Sequence, residues 1–154
     1  MKTFFKITLI LLLLQGCQTQ KSNMASSSNS TMGSEEKVVV KAFNQLKNTL
    51  ITHHTDSLFL ALDPSYINEQ HDTLLQGNTT QFVNELFCGQ DKDEQFKCLN
   101  YNDIQDIKLI NYTKKEGGYT VHFQATTKET TITTSLYLKV TDQNQVIGFV
   151  GGVG

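Results

Sequence analysis

The sequence predicts an α+β domain in which helices come first and one antiparallel sheet follows. Two observations predict this fold class. Between about residues 39 and 87, apolar residues recur every three or four positions, the period of an amphipathic helix. After about residue 104 they alternate with polar residues, as in strands with one covered face. The short links between these strands indicate an antiparallel meander of about four strands.

The first predicted helix covers about 17 residues after Ser34. Ser34 can cap it, and Glu35 and Glu36 suit the positive end of the helix dipole. The helix is expected to end near the His53-His54 pair. Its apolar face consists of Val39, Phe43, Leu46 and Leu50.

Shorter helices are predicted between this helix and the sheet. Asp63 precedes Pro64, and proline suits the first position of a helix, so a helix is expected to begin there. It is expected to end before Gly77, a good terminator, and another is expected to open at Asn78 or Thr79.

Four strands are predicted, and they are expected to pack one apolar face on the helices. Their predicted ranges are 104–112, 119–125, 132–140 and 146–150.

The first 16 residues are typical of a signal peptide, because Lys2 and Lys6 flank the start of a short apolar run. Residues 14–17, Leu-Gln-Gly-Cys, resemble the bacterial lipobox. That resemblance implies cleavage before Cys17 and acylation of its side chain, which anchors the protein in the cell envelope. In the best-known sorting rule for such lipoproteins, a residue other than aspartate after the lipidated cysteine directs the protein to the outer membrane. Gln18 stands at this position and therefore predicts the outer membrane. The alternative is an ordinary signal peptide followed by a cysteine without a role.

Residues 17–34 are predicted to be a lipidated cysteine followed by a flexible tether, and residues 35–154 a single domain. The tether is rich in serine and asparagine and cannot bury enough apolar surface to fold. Its root-mean-square reach is about 25 Å.

The order of elements resembles the nuclear transport factor 2 and ketosteroid isomerase-like superfamily over about residues 35–150. The resemblance rests on a long first helix, shorter helices and a curved meander that ends in a strand such as 146–150. It implies a cone with a pocket between helices and sheet. Full members have six strands, so a cystatin-like wrap of sheet around one helix is the alternative. No catalytic residue of the superfamily matches a position here.

Cys88 and Cys98 flank nine mostly polar residues and are predicted to form a disulfide in an oxidising compartment. Two free thiols are the alternative. Their spacing is not Cys-x-x-Cys, which argues against a redox-active pair.

The acidic residues of this loop, Asp91, Asp93 and Glu94, have the oxygen ligands that calcium prefers. A helix-loop-helix calcium site needs glycine and glutamate where Phe96 and Asn102 stand. The sequence therefore predicts a solvated acidic loop and no metal.

Two clusters of histidines and carboxylates contain the donors of a zinc or acid–base site: His53, His54 and Asp56, and Glu69, His71 and Asp72. Neither has the His-x-x-x-His spacing that places two imidazoles on one helical face. No catalytic residue is therefore predicted. Candidates to line a pocket are Tyr66, His71 and His122.

Charge excludes nucleic acid as a partner, because all 13 basic residues are lysines and they form no basic cluster. No cofactor motif is present. The main hypothesis is a non-catalytic domain that binds a small ligand or an envelope protein. The alternatives are a pocket enzyme that uses a histidine with a carboxylate, and a structural module that forms a homodimer.

Overall fold

The computed structural model describes residues 33–70 and 77–151. Cys17, His71, the predicted leader and all but the end of the predicted tether lie outside these residues. The described part contains helices followed by an antiparallel sheet, which confirms the α+β class. Its elements are α1 (Ser34–Thr52), α2 (Thr55–Phe59), α3 (Pro64–Ile67), α4 (Thr79–Glu85), β1 (Cys88–Asp91), β2 (Phe96–Cys98), a 3-10 turn (Tyr101–Asp103), β3 (Asp106–Lys115), β4 (Gly118–Thr126), β5 (Thr131–Val140) and β6 (Val146–Val150).

Helix α1 buries the predicted apolar face and ends at His53, whose backbone is left-handed with φ 50°. Its N-terminal cap is Gly33, so the expectation that Ser34 caps the helix is wrong. Ser34 is instead the first helical residue. The helix extends about 28 Å between the Ser34 end and the His53 end, at a rise of about 1.5 Å per residue.

Two of the shorter helices begin where the sequence predicts, and the structure shows that a side chain caps each of them. Asp63 Oδ1 accepts hydrogen bonds from the backbone N–H of Ser65 (2.7 Å) and of Tyr66 (3.4 Å) at the start of α3. Asn78 Oδ1 accepts from the backbone N–H of Gln81 (3.0 Å) at the start of α4. These bonds satisfy N–H groups that have no partner within a helix.

The sheet in the described part has six strands, so the expectation of about four is wrong in number. The strands lie in the order β2-β1-β5-β4-β3, and β6 also pairs with β5. The four predicted strands are β3 to β6, and they form the expected antiparallel meander.

The two strands absent from the sequence prediction, β1 and β2, form a hairpin between Cys88 and Cys98. The hairpin is too polar and too short to show an apolar period of two, and all three residues of β2 are exposed. It is stabilised instead by the Cys88–Cys98 disulfide and by Asp91, whose Oδ1 accepts from the backbone N–H of Asp93 (2.9 Å) and of Gln95 (3.0 Å).

Strand β6 is held on both sides. One edge pairs with β5, and on the other Asp63 N donates to Phe149 O (2.8 Å) while Phe149 N donates to Ala61 O (2.9 Å). Gly148 fits this close approach, because a Cβ there would lie 2.4 Å from Asp63 N. The link between α2 and α3 therefore ties the helices to the sheet.

The core lies between the helices and the inner face of the sheet. Its largest fully buried side chains include Phe82, Phe87, Tyr119, Phe123 and Phe149. The other face, which we call the outer face, carries mainly polar residues of β4 and β5, such as Thr120, His122, Gln124, Thr133 and Ser135.

Candidate functional site

An open cleft of about 640 Å³ lies at one end of the sheet in the described part of the chain. One wall is the segment 97–105, which leads from β2 to β3, and the other is the turn 127–130 between β4 and β5. His53, at the end of α1, also lines it. The volume lies within the range of small-molecule sites.

Buried side chains fix the segment 97–105 from below. Leu99 and Ile104 are almost fully buried, and the buried ring of Tyr101 stacks on Phe87 with centroids 6.2 Å apart. The Tyr101 hydroxyl donates to the backbone oxygen of Thr49 at 3.4 Å, and burial raises the pKa of this hydroxyl. The apolar residues thus turn inward and leave the polar ones facing the cleft.

The opposite wall is a turn organised by Thr127. Its hydroxyl oxygen accepts hydrogen bonds from the backbone N–H of Glu129 (3.2 Å) and of Thr130 (3.1 Å), and Thr127 N donates to Thr130 O (2.8 Å). Lys128 and Glu129 at the tip are exposed. Hydrogen bonds within the turn therefore order it. Its exposed tip presents one positive and one negative side chain.

Amides, hydroxyls and charges of both signs line the cleft. Asn100, Asn102 and Gln105 are exposed amides of one wall, and Asp103 adds a carboxylate. Lys97 is ion-paired with Asp91, whose carboxylate offsets the positive charge of the lysine at the edge of the cleft. A cleft with this lining suits a polar ligand without a large net charge.

The cleft is also lined by His53, which is not paired with a carboxylate in the described part of the chain. Its ring meets the edge of Tyr101 with centroids 6.2 Å apart. Asp103 and Glu129 line the same cleft, but neither is hydrogen-bonded to His53 within the described ranges. The contacts of His53 are those of a residue at a helix end.

The pocket candidates that lie in the described residues are not in the cleft. His122 is half-buried on the outer face, where its Nδ1 lies 2.6 Å from Ser135 Oγ. Tyr66 packs on Phe82 with ring centroids 5.6 Å apart, and burial raises the pKa of its hydroxyl. The third candidate, His71, lies outside the described residues.

The acidic loop forms the turn between β1 and β2. Asp91 is buried, and its pKa is held below the usual value by the hydrogen bond from Lys97 and by the N–H groups of Gln95 and Asp93. Asp93 and Glu94 are exposed. Within residues 33–70 and 77–151, no three His, Cys, Asp or Glu side chains converge to hold a metal ion.

The predicted pairing of the two downstream cysteines is present. Cys88 and Cys98 lie directly opposite each other on β1 and β2 and form a disulfide. Since Cys98 also lines the cleft, the bond fixes the point at which the segment 97–105 leaves the sheet.

Sequence reasoning did not identify the residues of the cleft. Its polar members are mostly neutral amides and hydroxyls, which occur in many loops and follow no motif. One pattern in the sequence could have indicated this wall of the cleft. Polar residues lie between the apolar residues Leu99, Tyr101 and Ile104, which are buried and anchor the segment.

A smaller groove of about 150 Å³ lies beside β6. Three exposed apolar side chains surround it: Leu60, Val146 and Ile147. The groove is formed where the start of β6 meets α1 and the end of α2.

Comparisons with family models, with curated proteins and with solved structures found no match for this chain. The superfamily resemblance of the element order therefore stays a prediction. Among the described helices, none is both long and apolar enough to cross a membrane.

Proposed function

We propose that the chain is a lipid-anchored protein of the bacterial cell envelope, in the outer membrane, whose domain binds a polar ligand or an envelope partner without catalysing a reaction. Anchoring rests on residues 14–17 after the apolar run. A diacylated cysteine anchors stably because each buried methylene contributes about 0.8 kcal/mol.

The cleft between the segment 97–105 and the turn 127–130 carries the binding part of the proposal. It is open and polar, and its walls are fixed by buried anchors and a disulfide. A rigid wall lowers the entropy cost of binding, because fewer groups must be ordered when the ligand enters. The amides of Asn100, Asn102 and Gln105 can donate and accept hydrogen bonds, which suits a neutral polar group.

The finer description of the fold belongs to the same proposal. We favour the cone-like form of the nuclear transport factor 2 and ketosteroid isomerase-like superfamily over a cystatin-like wrap. The six strands of the described sheet, the number expected in full members, support this choice. Catalysis is disfavoured because His53 in the cleft and His122 on the outer face each lack a hydrogen-bonded carboxylate in the described part. The His122 ring is hydrogen-bonded to the Ser135 hydroxyl and not to a carboxylate, and His53 has a ring contact with Tyr101.

Cys17→Ser is expected to move the protein from the membrane fraction to the soluble fraction, because serine lacks the thiol that accepts the lipid. The measurement is fractionation of cells after a high-salt wash, with Cys88→Ser as the matched control. The control loses one cysteine of the disulfide but keeps the lipidation site. If the Cys17→Ser protein still sediments with membranes, the anchor proposal fails.

Filling the cleft is expected to abolish ligand binding without unfolding the domain. The test variant is Asn102→Trp with Gln105→Trp, because both side chains are exposed on one wall. The control is Asn44→Trp with Asn48→Trp on the exposed face of α1. Each protein is purified from detergent-solubilised envelopes, and co-purifying proteins and small molecules are identified by mass spectrometry.

The expected result is a molecule present with the wild type and the control but at least about tenfold depleted with the cleft variant, a loss of about 1.4 kcal/mol of binding free energy. Equal recovery with all three proteins would show that the cleft is not the binding site. Thermal melting of the variants establishes that each one is folded.

A further inference from the structure

Within the described residues, the outer edge of β2 offers backbone groups without a partner strand. Strand β2 (Phe96–Cys98) ends the strand order and pairs only with β1 in the described sheet. The phase of its hydrogen bonds follows from the flanking bonds: Leu99 N donates to Phe87 O (2.9 Å), and Asp91 N donates to Gln95 O (3.0 Å).

Hydrogen-bonded pairs alternate with non-hydrogen-bonded pairs along an antiparallel ladder. With this phase, Lys97 bonds to β1, whereas the N–H and C=O of Phe96 and of Cys98 point away from it. Each of these two residues therefore presents one donor and one acceptor at the open edge. Such a row is a template for another extended strand.

We propose that this edge pairs with β2 of a second copy of the chain to form a two-fold symmetric dimer. This row of backbone groups is self-complementary. With the two-fold axis at Lys97, the outward N–H and C=O of Phe96 face those of Cys98 in the second copy. The outward groups of Cys98 likewise face those of Phe96 in the second copy. All four outward groups of each copy are then hydrogen-bonded. The same patch is used on both copies, as a two-fold interface requires.

The side chains support this register. Phe96 and Cys98 alternate with Lys97, so both belong to the outer face, and residue Phe96 is 73% exposed. Pairing about Lys97 places each Phe96 ring directly opposite the Cys88–Cys98 disulfide of the second copy. Contact between sulfur and an aromatic ring is favourable, and the ring leaves water.

The charge at the axis does not oppose the pairing. The two Lys97 side chains approach each other, and like charges directly opposite each other normally destabilise a sheet. Here each Lys97 ammonium is already ion-paired with the buried Asp91 of its own copy. The other free edge, β3, is less suited to pairing, because a bulge between Leu109 and Asn111 interrupts its register.

The test is sedimentation equilibrium of residues 17–154 with Cys17→Ser, which removes the proposed lipid and so separates this result from the proposed anchoring. The expected species is a dimer in reversible equilibrium with the monomer. Phe96→Pro removes only the outward N–H and leaves the bonds of β2 to β1 intact, and proline is tolerated at this position of an edge strand. We expect it to raise the dimer dissociation constant about tenfold or more, since the symmetry counts each loss twice.

Phe96→Thr is the matched control, because it removes the ring and keeps the N–H. Its dissociation constant should lie between those of the wild type and Phe96→Pro. Phe96→Trp gives an independent reading, because the chain has no tryptophan of its own. Its emission should shift to shorter wavelength as the protein concentration rises, because the indole leaves water in the dimer.

A wild type that stays monomeric at millimolar concentration would overturn the proposal. This holds even if the edge of β2 pairs with a different protein, because the proposed partner is a second copy of the chain. A dimer that Phe96→Pro leaves unchanged would also overturn it, provided that the variant melts as a folded protein.

Discussion

Replacing Asp63 by alanine is expected to lower the free energy of unfolding by about 2–3 kcal/mol. The Asp63 side chain is 2% exposed, caps α3 through Oδ1 and accepts from Lys139 Nζ through Oδ2 at 2.8 Å. Alanine removes both functions at the point where the chain before α3 joins β6. The measurement is urea unfolding followed by circular dichroism.

Two variants separate the parts of this effect. Asp63→Asn keeps an oxygen for the backbone N–H groups of α3 but loses the charge that pairs with Lys139, so its loss should be smaller. Asp142→Ala, at an exposed carboxylate of the turn before β6, should change stability by less than about 0.5 kcal/mol. A loss for Asp63→Ala no larger than that of Asp142→Ala would refute the role of Asp63.

The same residue predicts a pH dependence. Burial alone raises the pKa of Asp63, but the hydrogen bonds from Lys139 and from the backbone of Ser65 and Tyr66 outweigh it, so the pKa lies below its usual value of 3.8. The folded state therefore binds this proton less tightly than the unfolded state does. Its contribution to stability is complete above about pH 5 and is lost as the pH falls through the folded-state pKa. In Asp63→Asn this part of the acid dependence should be absent.

Removing the Cys88–Cys98 disulfide is expected to cost about 2–3 kcal/mol, because the bond closes a short loop and restricts the unfolded chain. The variant is Cys88→Ser with Cys98→Ser, compared by urea unfolding in a Cys17→Ser background. Adding reductant to the protein with both cysteines should reproduce the loss.

Reductant should leave the double variant unchanged, which controls for effects other than reduction of this bond. Peptide mapping without reductant should recover the two cysteines as one cross-linked pair. Free alkylation of both thiols in the oxidised protein would mean that the bond does not form.

The helices and the meander could be predicted because local chemistry agrees with the final packing. The apolar face of α1 repeats with the helical period, and the whole face is buried. The Asp63-Pro64 pair marks a helix start, since aspartate caps and proline fits the first position. Alternating residues in β4 and β5 predict which side faces the core.

The hairpin of β1 and β2 and the cleft could not be predicted because tertiary contacts determine them. Strand β1 is defined by its pairing with β5, at Gln90 with Thr133, and no local pattern indicates this partner. The cleft exists because the segment 97–105 crosses between distant strands. The neutral polar residues of the cleft have no distinctive spacing. The acidic loop does have the spacing of possible metal ligands, but it forms the turn around Asp91.

Helix α1 separates the start of the described domain from the cleft. Ser34 lies at one end of the helix, and His53, which lines the cleft, follows the other end. At a rise of about 1.5 Å per residue, the two ends lie about 28 Å apart. A fluorescent label attached at Gly33 would therefore report on the cleft only over that distance, and it would leave the cleft open to a ligand.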